Sequence, residues 1–413
     1  MKKDKLSNSI VKVLLSLFCV TSLFYTSCSS DNEPGKYDLT SGKPTVYYVR
    51  LSDPAKSDSL LAGAYMAETI CLVGDNLTSI KELYFNDQKA ILNINLITKN
   101  TLFVTVPNAI PGNVVDKIFM ITGSKDTVPY DFKVIVPAPI LNKMVCEYVP
   151  DGGAAVIEGD YFIDDPNTPL EVIMPGNIPA KVLNVQKTKI TFEVPANSTK
   201  GFINVKSLYG TTRSKFIFRD DRGMITDYDA DYPIVNSWGR AGHIEDDPAY
   251  SISGSYLRLS GSFTDPDEWT AGSESDALSH FWAEDNGRVA YNGADAKTAI
   301  FKFEANVTKN WSAVPLYFIF AAQGTTNGPL YADGEPHGIW APWTSTGSYE
   351  SDGWITIAIP VSEFKYDGKG VSVDRLPASF DNLNIFLASR GFTAGTSCDP
   401  EILLDNIRVI PGE

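Results

Sequence analysis

From about residue 44 onward, apolar and polar positions alternate in short runs broken by Gly, Pro, Asn and Asp, and no long segment repeats with a 3.6-residue period. This pattern predicts an all-β chain. Residues 299–307 show it clearly: Phe301, Phe303, Ala305 and Val307 share one face while Lys302, Glu304 and Asn306 share the other. Such alternation predicts a half-buried strand, one face in a core and one in water. Further strands are predicted over 255–260, 316–321, 355–360, 383–388 and 402–410.

Two segments repeat. Ile70-Cys71-Leu72-Val73-Gly74-Asp75-Asn76-Leu77 is echoed 85 residues on by Ala155-Val156-Ile157-Glu158-Gly159-Asp160-Tyr161-Phe162, and Leu102-Phe103-Val104-Thr105-Val106-Pro107 is echoed 88 residues on by Ile190-Thr191-Phe192-Glu193-Val194-Pro195. A strand ending in Gly-Asp and a later strand closed by Val-Pro, at near-constant offset, predict tandem copies of one small sandwich. The copies resemble the immunoglobulin-like (IPT/TIG) fold shared by plexins and transcription factors. Their expected bounds are 44–137 and 138–219, with Pro137-Ala138-Pro139 as a semi-rigid junction. After Arg219-Asp220-Asp221-Arg222-Gly223 the texture changes, and all seven tryptophans lie beyond residue 237. Residues 220–413 are therefore expected to form a third, larger sandwich with its own task.

A chain of 413 residues with 43% hydrophobic and 21% charged positions has material for several cores. Its net charge of −15 argues against a nucleic-acid partner, whose phosphates call for a basic surface. At the amino end, Lys2, Lys3, Lys5 and Lys12 precede an apolar run over 13–25, which reads as an export signal over residues 1–27. The string Tyr25-Thr26-Ser27-Cys28 resembles a relaxed lipobox of the Bacteroidetes kind, which implies lipidation of Cys28. Residues 28–43 would then be a linker, and Ser29-Ser30-Asp31-Asn32-Glu33 resembles a tag for display on the outer face of the outer membrane. Loss of 1–27 leaves 31 basic and 49 acidic residues, a mature charge of −18. Cys71, Cys146 and Cys398 fall one to a domain, so no disulfide within a domain is expected, and they read as small buried hydrophobes.

In the third module, the strings Gly353-Trp354-Ile355-Thr356-Ile357-Ala358-Ile359-Pro360-Val361-Ser362-Glu363-Phe364 and Leu403-Leu404-Asp405-Asn406-Ile407-Arg408-Val409 resemble those of carbohydrate-binding jelly rolls. With the lipobox and the tandem spacers, nearly the whole chain resembles the surface glycan-binding proteins of Bacteroidetes polysaccharide-utilisation systems. The resemblance implies a non-catalytic, lipid-anchored outer-membrane protein that captures a polysaccharide beside a glycan importer and a surface hydrolase. A plant cell-wall β-glucan or hemicellulose is the expected glycan.

The chemistry of such a site is specific. A pyranose offers C–H groups on its face and hydroxyls at its edge, so a binder needs flat aromatic rings below and polar groups at the rim. Trp269, Trp282, Trp311, Trp340 and Trp343 are the candidate platforms, and Glu268, Glu284 and Asn286 the leading rim candidates, with Asp267, Arg288 and Glu335 beside them. Trp354, at the head of an alternating strand, reads as structural, and Trp238 is the weakest candidate. No cofactor is expected, although Asp227, Asp229, Asp231 and Asp405 could hold a structural calcium ion.

Catalysis has little support. His243, His280 and His337 form no H-E-x-x-H string, and G-x-S-x-G, P-loop and dinucleotide fingerprints are absent. A glycosidase needs only two suitably spaced carboxylates, so a surface hydrolase using Asp267, Glu268, Glu284 or Glu335 stands as one alternative. An adhesin for a protein partner is another.

Overall fold

The computed structural model describes residues 42–235, 243–263, 277–293, 295–325, 336–367, 370–388 and 395–412. The chain divides into two compact units, ending at Val136 and beginning at Pro137. Apart from one-turn helices, the described residues form β-strands joined by turns. None of the described helices is long and apolar enough to cross a membrane.

In the first unit, Thr45–Leu51, Thr69–Asp75 and Thr101–Thr105 form one antiparallel sheet. Gln88–Lys89, Ile80–Phe85, Lys117–Thr122 and Thr127–Asp131 form a second. Alternate residues such as Ile70, Leu72, Leu83, Leu102 and Ile118 are fully buried, as period-2 patterning requires.

The sequence repeat has a steric cause. A methyl group on Gly74 would lie 1.8 Å from the Thr45 carbonyl oxygen, and one on Gly159 would lie 1.8 Å from that of Ile140. Each glycine sits where its strand crosses a bulged partner, with register shifts between Val46 and Tyr48 and between Leu141 and Lys143. Two residues after each glycine the chain turns through the left-handed region, at Asn76 (φ 56°) and Tyr161 (φ 57°). The two copies thus share a bulge, a close approach and a turn.

The second unit begins with a seven-stranded sheet in the order Ile140–Met144, Ala154–Asp160, Lys189–Glu193, Ile178–Gln186, Glu171–Met174, Gly201–Ser207 and Gly210–Phe218. It wraps a core that includes Ile157, Phe192, Val205 and Phe218. Two antiparallel sheets then face each other. One has the order His243–Glu245, Tyr256–Ser260, Glu401–Ile410, Ile300–Lys309 and Ile355–Pro360, with Met224–Thr226 also paired to Glu401–Ile410. The other has the order Leu278–Phe281, Asn382–Leu387, Leu316–Ala321 and His337–Trp340. Between them Phe318 packs 4.8 Å, centroid to centroid, from both Phe301 and Phe303, and each such ring contributes about 1.5–3 kcal/mol by burial.

The strand Ile300–Lys309 corrects the expectation of a half-wet strand. Its apolar face enters the core as expected, but Lys302, Glu304 and Asn306 are buried as well. Asn306 accepts the Ser351 hydroxyl at 3.2 Å, while the cover over Lys302 and Glu304 is the preceding sandwich. Glu147 accepts from Lys302 Nζ at 2.7 Å and from Arg408 Nη2 at 2.8 Å, and Glu304 accepts from Arg408 Nη1 at 2.8 Å. Thr356 Oγ1 donates to Glu304 at 2.8 Å and accepts the Glu147 N–H at 2.8 Å, while the Thr356 N–H donates to the Val145 carbonyl at 2.7 Å. Arg219-Asp220-Asp221-Arg222 leads across the same seam: Arg219 bonds Ser198 O, Val149 O and Asp151, and the Tyr148 hydroxyl donates to Asp220 O at 2.8 Å. Desolvating several charges roughly offsets their attraction, so the network's main effect is to hold the two sandwiches in one register.

Cys71 and Cys146 are buried free thiols and Cys398 is a partly buried one; burial pushes the Cys146 thiol far above its ordinary range.

Candidate functional site

Trp282 closes the strand Leu278–Phe281 and opens the single helical turn Ala283–Asn286, which Gly287 ends at φ 64°. Its indole stacks on His280 at 3.9 Å, and its Nε1 donates to Asn384 Oδ1 at 2.9 Å. The Glu284 carboxylate accepts the Gly324 N–H, and Asn286 accepts the Val235 N–H and donates to Trp282 O, both at 2.8 Å. The fold therefore brings Trp282, Glu284 and Asn286 onto one turn. Trp282 itself is 6% exposed, and the polar atoms of its two neighbours fasten the turn to the chain at positions 235 and 324.

The remaining described platform candidates are core. Trp311 is fully buried, and its Nε1 reaches Ala313 O at 2.8 Å and Val314 O at 2.7 Å. Trp340 lies edge-on to Trp311 at 5.2 Å and to Phe303 at 5.6 Å, and Trp343 is buried in the same cluster. A platform needs an open ring face, and these three indoles, like Trp282, are buried, which corrects their reading as platforms. Facing sheets about 10 Å apart need bulky side chains between them, and tryptophan meets that need as well as it meets a sugar. Arg288 is likewise an internal support, its guanidinium 4.6 Å above the Phe281 ring and bonded to Ile225 O at 2.6 Å. Trp238, Asp267, Glu268, Trp269, Glu335 and Cys28 lie outside the described residues.

Three of the four aspartates of this series are engaged in internal hydrogen bonds. Asp227 accepts the Asp229 N–H at 3.0 Å, Asp229 accepts the Ser255 N–H at 2.8 Å, and Asp405 accepts the Ser253 hydroxyl at 2.9 Å. Among the described residues, no group of three or more His, Cys, Asp or Glu is arranged to hold a metal ion.

The face of the four-stranded sheet turned away from the shared core is buried as well, with Leu278, Tyr317, Ile319 and Phe386 in a cluster of their own. Register places His280, Asn384, Ile319 and His337 in one cross-strand row and Leu278, Phe386, Tyr317 and Ile339 in the next. The edge strand His337–Trp340 borders an open cleft of about 260 Å³ lined by Ile339, Ala341, Thr344, Tyr366 and Gly370. Tyr366 is fixed there by backbone pairing, the His337 N–H donating to its carbonyl at 2.7 Å. An aromatic ring, a small apolar floor and a hydroxyl at the rim are the groups a pyranose requires. Sequence reading passed over Tyr366 by weighing tryptophans alone. The available signal was an aromatic inside the turn-rich string Lys365-Tyr366-Asp367-Gly368-Lys369-Gly370. Glu147 and Glu304, close together around Arg408, are inaccessible and committed to their cation, so they form no hydrolytic pair.

A repeated small sandwich, then a larger two-sheet sandwich with an aromatic-edged cleft, defines a class of multi-sandwich binding proteins. The profile of the surface glycan-binding protein B xyloglucan binding domain matches residues 218–411. The chain is 34% identical to the surface glycan-binding protein PbSGBP-B from Prevotella bryantii, with a TM-score of 0.75 over 91% of this chain and all of that structure. SGBP-B from a complex xyloglucan utilization locus in Bacteroides uniformis is 16% identical, with a TM-score of 0.45 over 90% of this chain and all of that one. An IPT/TIG domain-containing protein of Bacteroides ovatus is 23% identical over 240 residues, which span 54% of this chain and 48% of that relative's length. The chain belongs to the surface glycan-binding protein B family. Its setting is accordingly the cell surface.

Proposed function

We propose that this protein captures a neutral polysaccharide of the xyloglucan class at the cell surface and does not cleave it. The observation that carries the reading is that the xyloglucan-binding profile covers 218–411, the module whose edge holds the Tyr366 cleft. A cleft of about 260 Å³ is smaller than the ~300–1,000 Å³ of enclosing ligand sites. Such an open contact suits capture of a long chain by a few rings, with a Kd of roughly micromolar to millimolar order. The segments that hold Trp238, Trp269, Glu268 and Glu335 supply further contacts in this reading. Lipidation at Cys28 anchors the chain, the sandwiches at 44–137 and 138–219 act as spacers, and an outer-membrane importer and a surface hydrolase take the glycan onward.

Affinity electrophoresis in gels containing xyloglucan, paired with a reducing-sugar assay, tests this. Retardation without sugar release is expected, and Tyr366→Ala should weaken binding about ten-fold at unchanged melting temperature. Migration unaffected by xyloglucan and by other β-glucans, or sugar release abolished by a Glu→Gln substitution, would overturn the proposal.

A further inference from the structure

We infer that the chain carries a second saccharide subsite, in the cleft where the sandwich of residues 138–219 meets the C-terminal one; the inference rests on the glycan-capture reading above. The cleft has a volume of about 590 Å³, within the range of ligand sites that enclose several rings' worth of atoms. One wall is the strand Ala154–Asp160 with Lys189 beside it, and the other is the turn Glu350-Ser351-Asp352-Gly353-Trp354 with Tyr349.

Trp354 supplies the platform. It is partly buried, one side packed against the core of the preceding sandwich, yet it is the most accessible of the described tryptophans, and its orientation is set before any ligand arrives. Its Nε1 donates to Tyr250 O at 2.6 Å, and the Tyr256 ring abuts it at 6.1 Å and 73°. An indole already immobilised loses little side-chain entropy on stacking against a sugar face. Its N–H is spent internally, so it offers the ligand an apolar ring and not a donor.

Hydrogen-bonding groups sit around that ring. Glu350 and Asp352 are exposed on the same turn, with no ion pair among the described residues. Lys189 reaches in from the opposite wall, register-paired with Glu158. Carboxylates accept from paired hydroxyls and an ammonium donates to them, while acidic side chains outnumber this cation and disfavour an anionic ligand. The occupant that fits is a neutral oligosaccharide. The walls cannot drift apart, because Glu147, next in sequence to the cleft-lining Cys146, is held by Lys302 and Arg408 at 2.7 and 2.8 Å from the other side of the seam.

Titration calorimetry of the full chain with a xyloglucan-derived oligosaccharide of one repeat is the test. Two equivalents should bind. Ala154→Trp, which fills the cleft from an exposed position, should reduce this to one and leave the remaining binding event unchanged. Glu350→Gln combined with Asp352→Asn, which leaves packing alone, should weaken the same event about ten-fold. Tyr366→Ala should remove the other event. On xyloglucan gels, loss of either site should cut retention at least ten-fold, since two linked contacts act together. A single equivalent that Tyr366→Ala abolishes and the cleft variants leave untouched would sink the second subsite alone. Absence of any glycan binding would sink the functional reading with it.

Discussion

The Arg408 guanidinium stands 2.8 Å from the Glu147 carboxylate, with side-chain exposures of 0% and 4%, and so ties the closing strand of the C-terminal sandwich to the sandwich before it. The same guanidinium bonds Glu304 within its own sheet. Removing one partner of such a network strands an uncompensated buried charge, which costs about 3–5 kcal/mol. Glu147→Ala should lower stability by that amount in urea unfolding. It should also split a shared transition into two, since it uncouples the sandwiches. A single transition with an unchanged midpoint would show that the seam is held by other contacts.

Trp311 separates packing from recognition. Its ring is fully buried and its N–H is shared between two carbonyls. Trp311→Ala should therefore cost about 3–5 kcal/mol of stability, while xyloglucan affinity of the folded fraction stays at its original value. Affinity lost at unchanged stability would return this residue to the binding surface.

Gly74 and Gly159 make equivalent approaches to a neighbouring backbone carbonyl, and a β-carbon at either position would fall 1.8 Å from that oxygen. Gly159→Ala should cost about 1–3 kcal/mol through forced backbone displacement, and Gly74→Ala a similar amount in its own unit. Circular dichroism melts of both variants check this; a neutral result at either position would mean that the bulged strand yields.

Asp405 gives a pH signature. Burial pushes its carboxyl well above the usual range, opposed by the Ser253 hydroxyl and the Asn406 N–H and reinforced by Glu304 and Asp229. A folded-state value above the unfolded one means that its stabilising share is whole below the unfolded value of ~3.9. That share is lost as pH rises through the folded value. The wild-type protein should lose stability relative to Asp405→Asn as pH rises above about 4. Urea midpoints that move in parallel for the two proteins would contradict this.

The pattern of alternation and turn residues determined a good deal by itself. It located the strands Leu316–Ala321 and Ile355–Pro360 at the bounds observed, and Tyr256–Ser260, Ile300–Lys309, Asn382–Leu387 and Glu401–Ile410 to within two residues. It also exposed the Gly-Asp repeat, because a bulge that admits only glycine leaves its mark on the chain. These are local effects, written over a few neighbouring positions. What alternation could not say is what lies opposite a polar face. Lys302 and Glu304 meet Glu147 and Arg408, more than 100 residues away in sequence from at least one partner, and not water. Nor does an indole's identity reveal its surroundings: Trp311, Trp340 and Trp343 fill one core, while Trp354 packs partly buried against another, as its place at the head of a strand predicted, and borders a cleft. Exposure belongs to the packing of distant strands, so only the tertiary structure decided which rings are buried.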